Sequence, residues 1–430
     1  MEMSAAWHDA SQSHVAHKTD PYWRPHLLCI GGKDHHLRIP MLLALRDKGF
    51  RVSAAGGADL APFARSGVSY QGVQFARFVD PFSDWNALRT LVRIIAEQRP
   101  NLVQCFDTKM NVLVPFAARH QRAVRVISTI NGLGWLYSSR SPIALALRPI
   151  YRALQSAANR YTDVSVFQNA DDLEFFKRRR MLGKSRDVLI PGSGIDIEGF
   201  EQAAVRGPSP AELRATLGLG HFKVVLSVTR MTRQKGIPTL LRAAALVHKN
   251  RPDVRFLLVG PRVQEGALAV SQAEIDEHRP YVLAVGPRND VPALLRIADV
   301  FAFPTELREG IPRVLLEAAA AGLPIVTTRM PGCTDVIRDG WNGFLVPPRS
   351  PHQLAEKILN LLDARPNAEA MGARAATFVK KEFNLGLVVA RYAAIYESLL
   401  GGSHTSLKEN FGRAGSTPGS LATTPRGFGG

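Results

Sequence analysis

Short apolar runs alternate with longer helix-period stretches twice along this chain, and that double alternation limits its fold more than any other feature. Residues 26–31 (HLLCIG) read as a buried strand and 37–48 as the helix after it. Runs at 50–55, 68–75, 101–106, 124–129 and 163–168 read as further strands with helical stretches between them. The pattern then restarts, with strands expected at 222–229, 254–260, 281–285, 300–304, 324–327 and 343–346. Strands separated by helices imply βαβ units and parallel sheets. The 430 residues exceed one ordinary core and suit two of about 200 each. The expected fold class is therefore α/β, with two Rossmann-like parallel-sheet domains facing a central cleft. Such folds bind ligands where the carboxyl ends of the strands meet.

The same reading sets the expected boundaries. Residues 1–22 are expected to be disordered, 23–195 to form the first domain and 196–212 a linker, near Gly192, Gly194, Gly207, Pro208 and Pro210. Residues 213–383 would form the second domain, 384–400 a helix returning toward the first, and 401–430, rich in Gly, Ser and Thr, a disordered tail. With 46% hydrophobic and 21% charged residues, the chain is globular in composition. Its longest run free of Asp, Glu, Lys and Arg, 126–139, is well short of the ~20 apolar residues that span a bilayer. The first residues lack the apolar core of a signal peptide. Cys29, Cys105 and Cys333 are far apart and odd in number, which favours a reducing compartment and packing as small hydrophobes. A cytoplasmic location is expected.

Three segments carry chemistry. In 304–321 (PTELREGIPRVLLEAAAA), Glu309 lies on a loop, Pro312 sits where a helix begins, and Glu317 lies on that helix. A helix start preceded by Gly310 offers free N–H groups to an anion, and the two carboxylates could accept sugar or ribose hydroxyls. Two exposed surface glutamates would have the same spacing. In 226–240 (SVTRMTRQKGIPTLL), a strand end leads through Arg230, Arg233 and Lys235 to Gly236. Cations at a strand's carboxyl end suit a diphosphate, although solvated loop charges read equally well. Gly31 and Gly32 form a tight turn after the first strand, without a GxGxxG or Walker pattern. His35 and His36 follow that turn; an exposed pair is the plainer reading, and a cleft-facing His35 the other.

In this order, Arg230, Lys235-Gly236, Glu309 with Glu317, Gly322-Leu323-Pro324-Ile325-Val326 and 337–347 (IRDGWNGFLVP) resemble a family-4 glycosyltransferase of the GT-B fold. The resemblance covers about residues 26–400. It implies that Arg230 and Lys235 hold a nucleotide diphosphate and, with Glu309 at the donor sugar, carry catalysis. It places Glu317 on the ribose, the Gly310 and Ile311 amides on phosphate or sugar oxygens, and Gly31, Gly32 and Gly236 where backbone approaches the donor. The segment 286–290 (GPRND), with Gly286 and Arg288, resembles the loop beside the base. Such enzymes are usually retaining and need no metal; no DxD is present, and no cofactor is expected. Many relatives carry a His within 128–134 (STINGLG), where this chain has Asn131. A role near the transferred sugar is thus implied for Asn131, but not that of a general base. The segments 308–314 (REGIPRV) and 131–135 (NGLGW) resemble bacterial transferases that build polysaccharides on undecaprenyl diphosphate.

The expected partners are a nucleotide-sugar donor, UDP-linked by resemblance, and a lipid-diphosphate-linked glycan acceptor. Lys and Arg total 54 against 37 Asp and Glu, a net charge of +17. Residues 139–161 mix Ile143, Leu147, Ile150, Tyr151 and Leu154 with Arg140, Arg148, Arg152 and Arg160 at helical spacing. A helix lying on an anionic membrane and a helix packed on its own sheet both fit. The run 177–186 (KRRRMLGKSR) adds cations, so peripheral attachment to the inner face of the plasma membrane is a reading of both stretches. Nucleic-acid binding is not expected, because no reader motif accompanies the basic runs. Two other readings remain: a nucleotide-sugar epimerase of the same fold, and a non-catalytic nucleotide-sugar-binding protein.

Overall fold

The computed structural model describes residues 24–76 and 80–401, so the segments expected to be disordered lie almost wholly outside the described residues. Among the described residues, thirteen strands form two wholly parallel sheets. The first holds β1 (His26–Gly31), β2 (Arg51–Gly56), β3 (Ser69–Gly72), β4 (Leu102–Phe106), β5 (Arg125–Ile130), β6 (Val164–Phe167) and β7 (Arg186–Leu189), in the order 3-2-1-4-5-6-7. The second holds β8 (Lys223–Val228), β9 (Val254–Val259), β10 (Val282–Ala284), β11 (Val300–Phe303), β12 (Ile325–Thr328) and β13 (Phe344–Val346), in the order 10-9-8-11-12-13. In both sheets the order reverses between two adjacent strands, β1 and β4 in one, β8 and β11 in the other.

Alternation along each strand sends side chains to opposite faces. From β1, Leu28 and Ile30 join helices Pro81–Gln98 and Met110–Ala118, while Leu27 and Cys29 join helix Ile39–Asp47 on the other face. The last helix, Leu385–Leu399, completes that second face although it is farthest in sequence, burying Val388, Tyr392 and Tyr396 against Leu27 and Ile127. Its anchor is a buried polar chain. Tyr396 Oη donates to Gln104 Oε1 at 2.7 Å, Gln104 bonds Thr129, and Thr129 Oγ1 lies 3.3 Å from Tyr392 Oη.

Two stretches differ from the expectation. The segment read as a linker is largely helical, over Ile197–Arg206 and Pro210–Thr216. Its glycines and prolines mark the helix ends: Asp196 accepts from Gly199 N, and Ser209 with Glu212 forms a capping box ahead of Pro210. The strand β7 was not expected at all. It is an edge strand, mostly exposed, and Arg186-Asp187 at its start lacks an apolar run.

The Tyr396 hydroxyl is the partner of a fully buried amide oxygen. Tyr396→Phe leaves Gln104 Oε1 unpaired and is expected to cost about 1–3 kcal/mol in urea unfolding. Tyr392→Phe, which loses only the longer contact, is expected to cost less in the same experiment.

Candidate active site

Both points of strand reversal open toward one another, and the segments that leave them make the site. In the second domain β8 runs into Arg230 and then a short turn, Arg233–Lys235, that ends at Gly236 in the left-handed region (φ 73°). A Cβ on Gly236 would stand 1.8 Å from the Pro304 carbonyl oxygen, so only glycine lets this turn press on the end of β11. The contact aims Lys235 inward. Its side chain is only 8% exposed, and Nζ donates to Glu309 Oε2 at 2.6 Å while lying 5.3 Å from the Phe303 ring centroid. The other carboxylate oxygen of Glu309 accepts from Thr305 Oγ1 at 2.8 Å. A buried lysine and a partly buried carboxylate therefore neutralise each other at the strand ends, with the third partner supplied by Thr305 just past β11.

Arg230, just past the end of β8, has its guanidinium on the buried Glu265, Nη1 to Oε2 3.1 Å. Arg233 turns away, pairing with Glu274 at 2.7 Å on the exposed side of the turn. The ends of β8 and β9 and the 286–290 loop converge. Thr229 N–H donates to Val259 O at 2.8 Å, and Gly260 N–H to Gly286 O at 2.8 Å. A Cβ on Gly260 would meet Thr229 O at 1.9 Å. Arg288 forks onto the Asp290 carboxylate through two nitrogens, and this pair raises the Arg288 pKa and lowers that of Asp290. Glu317 sits one turn into helix Arg313–Ala320 and accepts from Arg313 Nε at 2.9 Å; Arg313 Nη1 continues across the cleft to Leu37 O at 2.8 Å.

The segment 308–311 crosses to the first domain and is held there along its length. Gly134 N–H donates to Arg308 O at 2.8 Å and Gly310 N–H to Asn131 O at 2.9 Å. Arg308 N–H donates to Ser138 Oγ, also at 2.8 Å, and Asn169 Nδ2 donates to Glu309 O at 3.1 Å. Ile311 N–H points at Gln168 Oε1, at 3.4 Å. The amides of Gly310 and Ile311, expected on phosphate or sugar oxygens, are thus turned to the first domain. The cause is the glycine at 132 (φ 95°), where a Cβ would fall 2.5–2.6 Å from the Glu309 and Gly310 backbone. Arg308 reaches farther, to the fully buried Asp172 at 3.0 Å, with its guanidinium 5.4 Å from the Phe175 ring centroid. Burial raises the pKa of Asp172 despite Asn169 and Arg308 beside it.

On the first domain's strand ends, the two glycines serve the protein's own groups. A Cβ on Gly31 would stand 2.3 Å from His35 Nδ1, and Gly32 N–H donates to Asp107 Oδ2 at 2.7 Å. His35 neither faces the cleft nor sits exposed. It is fully buried against Phe63 and Phe106, its Nε2 3.2 Å from Cys29 O, because the glycine turn folds it back over β1. Burial, then the neighbouring Arg38, lowers its pKa to about 3, so it is neutral at pH 7. All three cysteines are buried, and burial pushes the Cys105 and Cys333 thiols up to about 12, which fits inert packing. Sequence reasoning missed Asp107, Thr305 and Glu265. Asp107 directly follows β4 in a left-handed conformation (φ 74°). It accepts from Asn131 Nδ2 at 3.3 Å and Arg38 Nη2 at 3.4 Å. Burial alone would raise its pKa, but Arg38, the Gly32 amide, His35 and Asn131 hold it below the ordinary value. Its place at a strand's carboxyl end was the available signal.

Residues 211–378 match the family model described as "Glycosyl transferases group 1", so the second domain is a group 1 glycosyltransferase domain. Among curated proteins, the chain is 23% identical over 373 residues to the N,N'-diacetylbacillosaminyl-diphospho-undecaprenol alpha-1,3-N-acetylgalactosaminyltransferase of Campylobacter jejuni; the match covers 86% of this chain and 97% of that protein. It is 26% identical to the UDP-Gal:alpha-D-GlcNAc-diphosphoundecaprenol alpha-1,3-galactosyltransferase of Escherichia coli, over 63% of this chain and 68% of that one. Among solved structures, Anabaena HepE in complex with UDP and glucose superimposes with a TM-score of 0.71 at 19% identity, covering 87% of this chain and all of that one. That likeness is one of fold, and the fold is GT-B.

Removing the cation that reaches Asp172 strands a fully buried carboxylate between the domains. Arg308→Ala is expected to lower the unfolding free energy by about 3 kcal/mol or more. Arg308→Lys, which retains the charge, is expected to recover part of that loss in the same denaturation series.

Proposed function

Proceeding from a second domain of the group 1 glycosyltransferase kind, we propose that this chain moves a hexose or N-acetylhexosamine from a UDP-sugar to a lipid-diphosphate-linked glycan. The reaction retains anomeric configuration, needs no metal, and takes place at the inner face of the plasma membrane with the protein attached peripherally. The observation that carries this reading is the pairing of the buried Lys235 with Glu309 on the loops that leave β8 and β11, with Arg230 on the first of those loops. Arg230 and Lys235 bind the donor diphosphate and offset the charge that grows on it as the bond from sugar to phosphate breaks. Glu309 accepts a sugar hydroxyl, Glu317 the ribose hydroxyls, and the loop with Gly286 and Arg288 flanks the base. Gly31, Gly32, Gly236, Gly310 and Ile311 shape the walls.

Retention puts the incoming acceptor hydroxyl on the face the diphosphate leaves. The acceptor oxygen then bonds the anomeric carbon as the carbon–phosphate-oxygen bond breaks, and the hydroxyl proton passes to the departing diphosphate. Asn131, an amide, orients groups near the transferred sugar and takes no proton. A UDP donor is favoured by the name of the Escherichia coli relative and by the UDP bound to Anabaena HepE. Mycobacterial relatives described as GDP-mannose-dependent make a GDP-sugar the second candidate. The relatives named as transferases favour transfer over epimerisation.

The test is nucleotide release from UDP-hexoses and UDP-N-acetylhexosamines in EDTA, with and without polyprenyl-diphosphate-linked acceptors. The expected result is release that depends on the acceptor, with a lengthened glycan as product. An altered nucleotide sugar formed without acceptor would contradict it. Glu309→Gln is expected to lower kcat by about 100-fold while donor KM changes by less than about threefold, because its contact tightens as the sugar develops charge.

A further inference from the structure

The two outermost helices on one face of the first domain are exposed along their apolar sides. Helix Pro81–Gln98 buries Ala87, Leu91, Ile94 and Ile95 and turns Phe82, Trp85 and Val92 outward, at 86%, 61% and 44% exposure. Those three share one stripe with Arg89, at i, i+3, i+7 and i+10. Helix Pro142–Ala158 behaves the same way. Its buried residues are Ala144, Gln155 and Ala158, while Ile143, Ile150 and Leu154 are 68%, 55% and 46% exposed. This is the reverse of a helix packed by its apolar side on its own sheet, one of the two readings of residues 139–161. Burying Gln155 there is no accident of placement. Its amide donates to Asn159 Oδ1 at 3.0 Å and to Asn111 O at 3.4 Å, and it accepts from Tyr151 Oη at 3.1 Å.

The two helices belong to one surface. Helix Met110–Ala118 packs between them and is itself mostly buried. All three run antiparallel to the strands, so the ends carrying Phe82, Trp85 and Ile143 lie at the strands' carboxyl ends, on the rim of the cleft. Arginine outnumbers acid on this face, where Glu97 is the exposed carboxylate of helix Pro81–Gln98. Residues 139–161 contain no Asp or Glu, and Arg140, Arg152, Arg89 and Arg93 are exposed. On the facing turn of the other helix, Asp84 is already paired with Lys109 at 2.5 Å. Aromatic and branched side chains with arginines in excess of acids match a leaflet of anionic lipid, whose boundary favours Trp and whose surface attracts arginine.

We infer that helices Pro81–Gln98 and Pro142–Ala158 together form the docking surface for an anionic bilayer, which holds the cleft rim at the depth where a lipid diphosphate is exposed. The inference deepens the reading of a lipid-linked acceptor, but its test requires no turnover, so either can fail without the other.

Co-sedimentation with vesicles of phosphatidylethanolamine and phosphatidylglycerol, against vesicles of phosphatidylcholine alone, tests it with the full chain. The expected result is binding to the anionic vesicles that weakens as salt shortens the Debye length from ~10 toward ~3 Å. Phe82→Ser with Trp85→Ser, and separately Ile143→Ser with Ile150→Ser, are each expected to lower partitioning at least about tenfold. Melting temperatures should change little, since these side chains are all more than half exposed. Loss in one pair only would reduce the surface to a single helix and overturn the composite. No binding by the wild type, or binding by both variants as strong as the wild type's, would overturn it entirely. A wild-type dimer that the same substitutions dissociate, without vesicle binding, would assign the face to a second copy instead.

Discussion

A lysine buried against a carboxylate organises this molecule. Lys235 and Glu309 lie on the loops that leave β8 and β11, the strands that part at the reversal in the second sheet, and the lysine could not be buried alone without a large desolvation penalty. Their meeting needs several things at once: the glycine at 236 that lets one turn lean on Pro304, the hydroxyl of Thr305 on the second carboxylate oxygen, and a loop path that brings Glu309 back over the strand ends. A pair of this kind is satisfied while empty. An anionic ligand can then take the cation while the carboxylate turns to hydroxyls, so that both side chains keep hydrogen-bond partners at either stage.

The same loop joins the two domains. Immediately on either side of Glu309, Arg308 and Gly310 are bonded to the first domain, through Gly134, Ser138, Asn131 and the buried Asp172. The carboxylate proposed to face the donor sugar is therefore fixed by the domain proposed to receive the acceptor. Farther along, Arg313 joins Glu317 to the backbone at Leu37 in the same way. Helix Leu385–Leu399 completes the first domain's core with the last part of the chain, so both ends of the second domain are tied to the first. Such coupling lets a ligand bound on one side alter the geometry on the other, because they share backbone rather than a chain of loose side chains.

Much of this was legible in the sequence. Twelve of the thirteen described strands were legible, most of them because parallel strands covered on both faces leave a continuous apolar signal; β7, an exposed edge beginning Arg186-Asp187, leaves none. The cations and carboxylates of the second domain were legible because their spacing follows a strand end and a helix start, which are local. What spacing does not carry is which partner a polar group finds across the fold. His35 reads as exposed from its neighbours, yet a glycine turn folds it into the core. The Gly310 amide reads as free at a helix start, yet Gly132 brings another backbone against it. Helix Pro142–Ala158 is amphipathic by pattern, but only its buried Gln155 shows that the apolar side faces outward.

The central claim is that Lys235 is held in the site to bind a nucleotide diphosphate without a metal, and calorimetric titration of UDP in EDTA tests it most directly. The account predicts binding by the wild type and affinity lower by about 10–100-fold in Lys235→Ala, as for one charge-assisted bond. Equal affinity in the two proteins would contradict it, as would UDP binding that appears only when a divalent ion is restored.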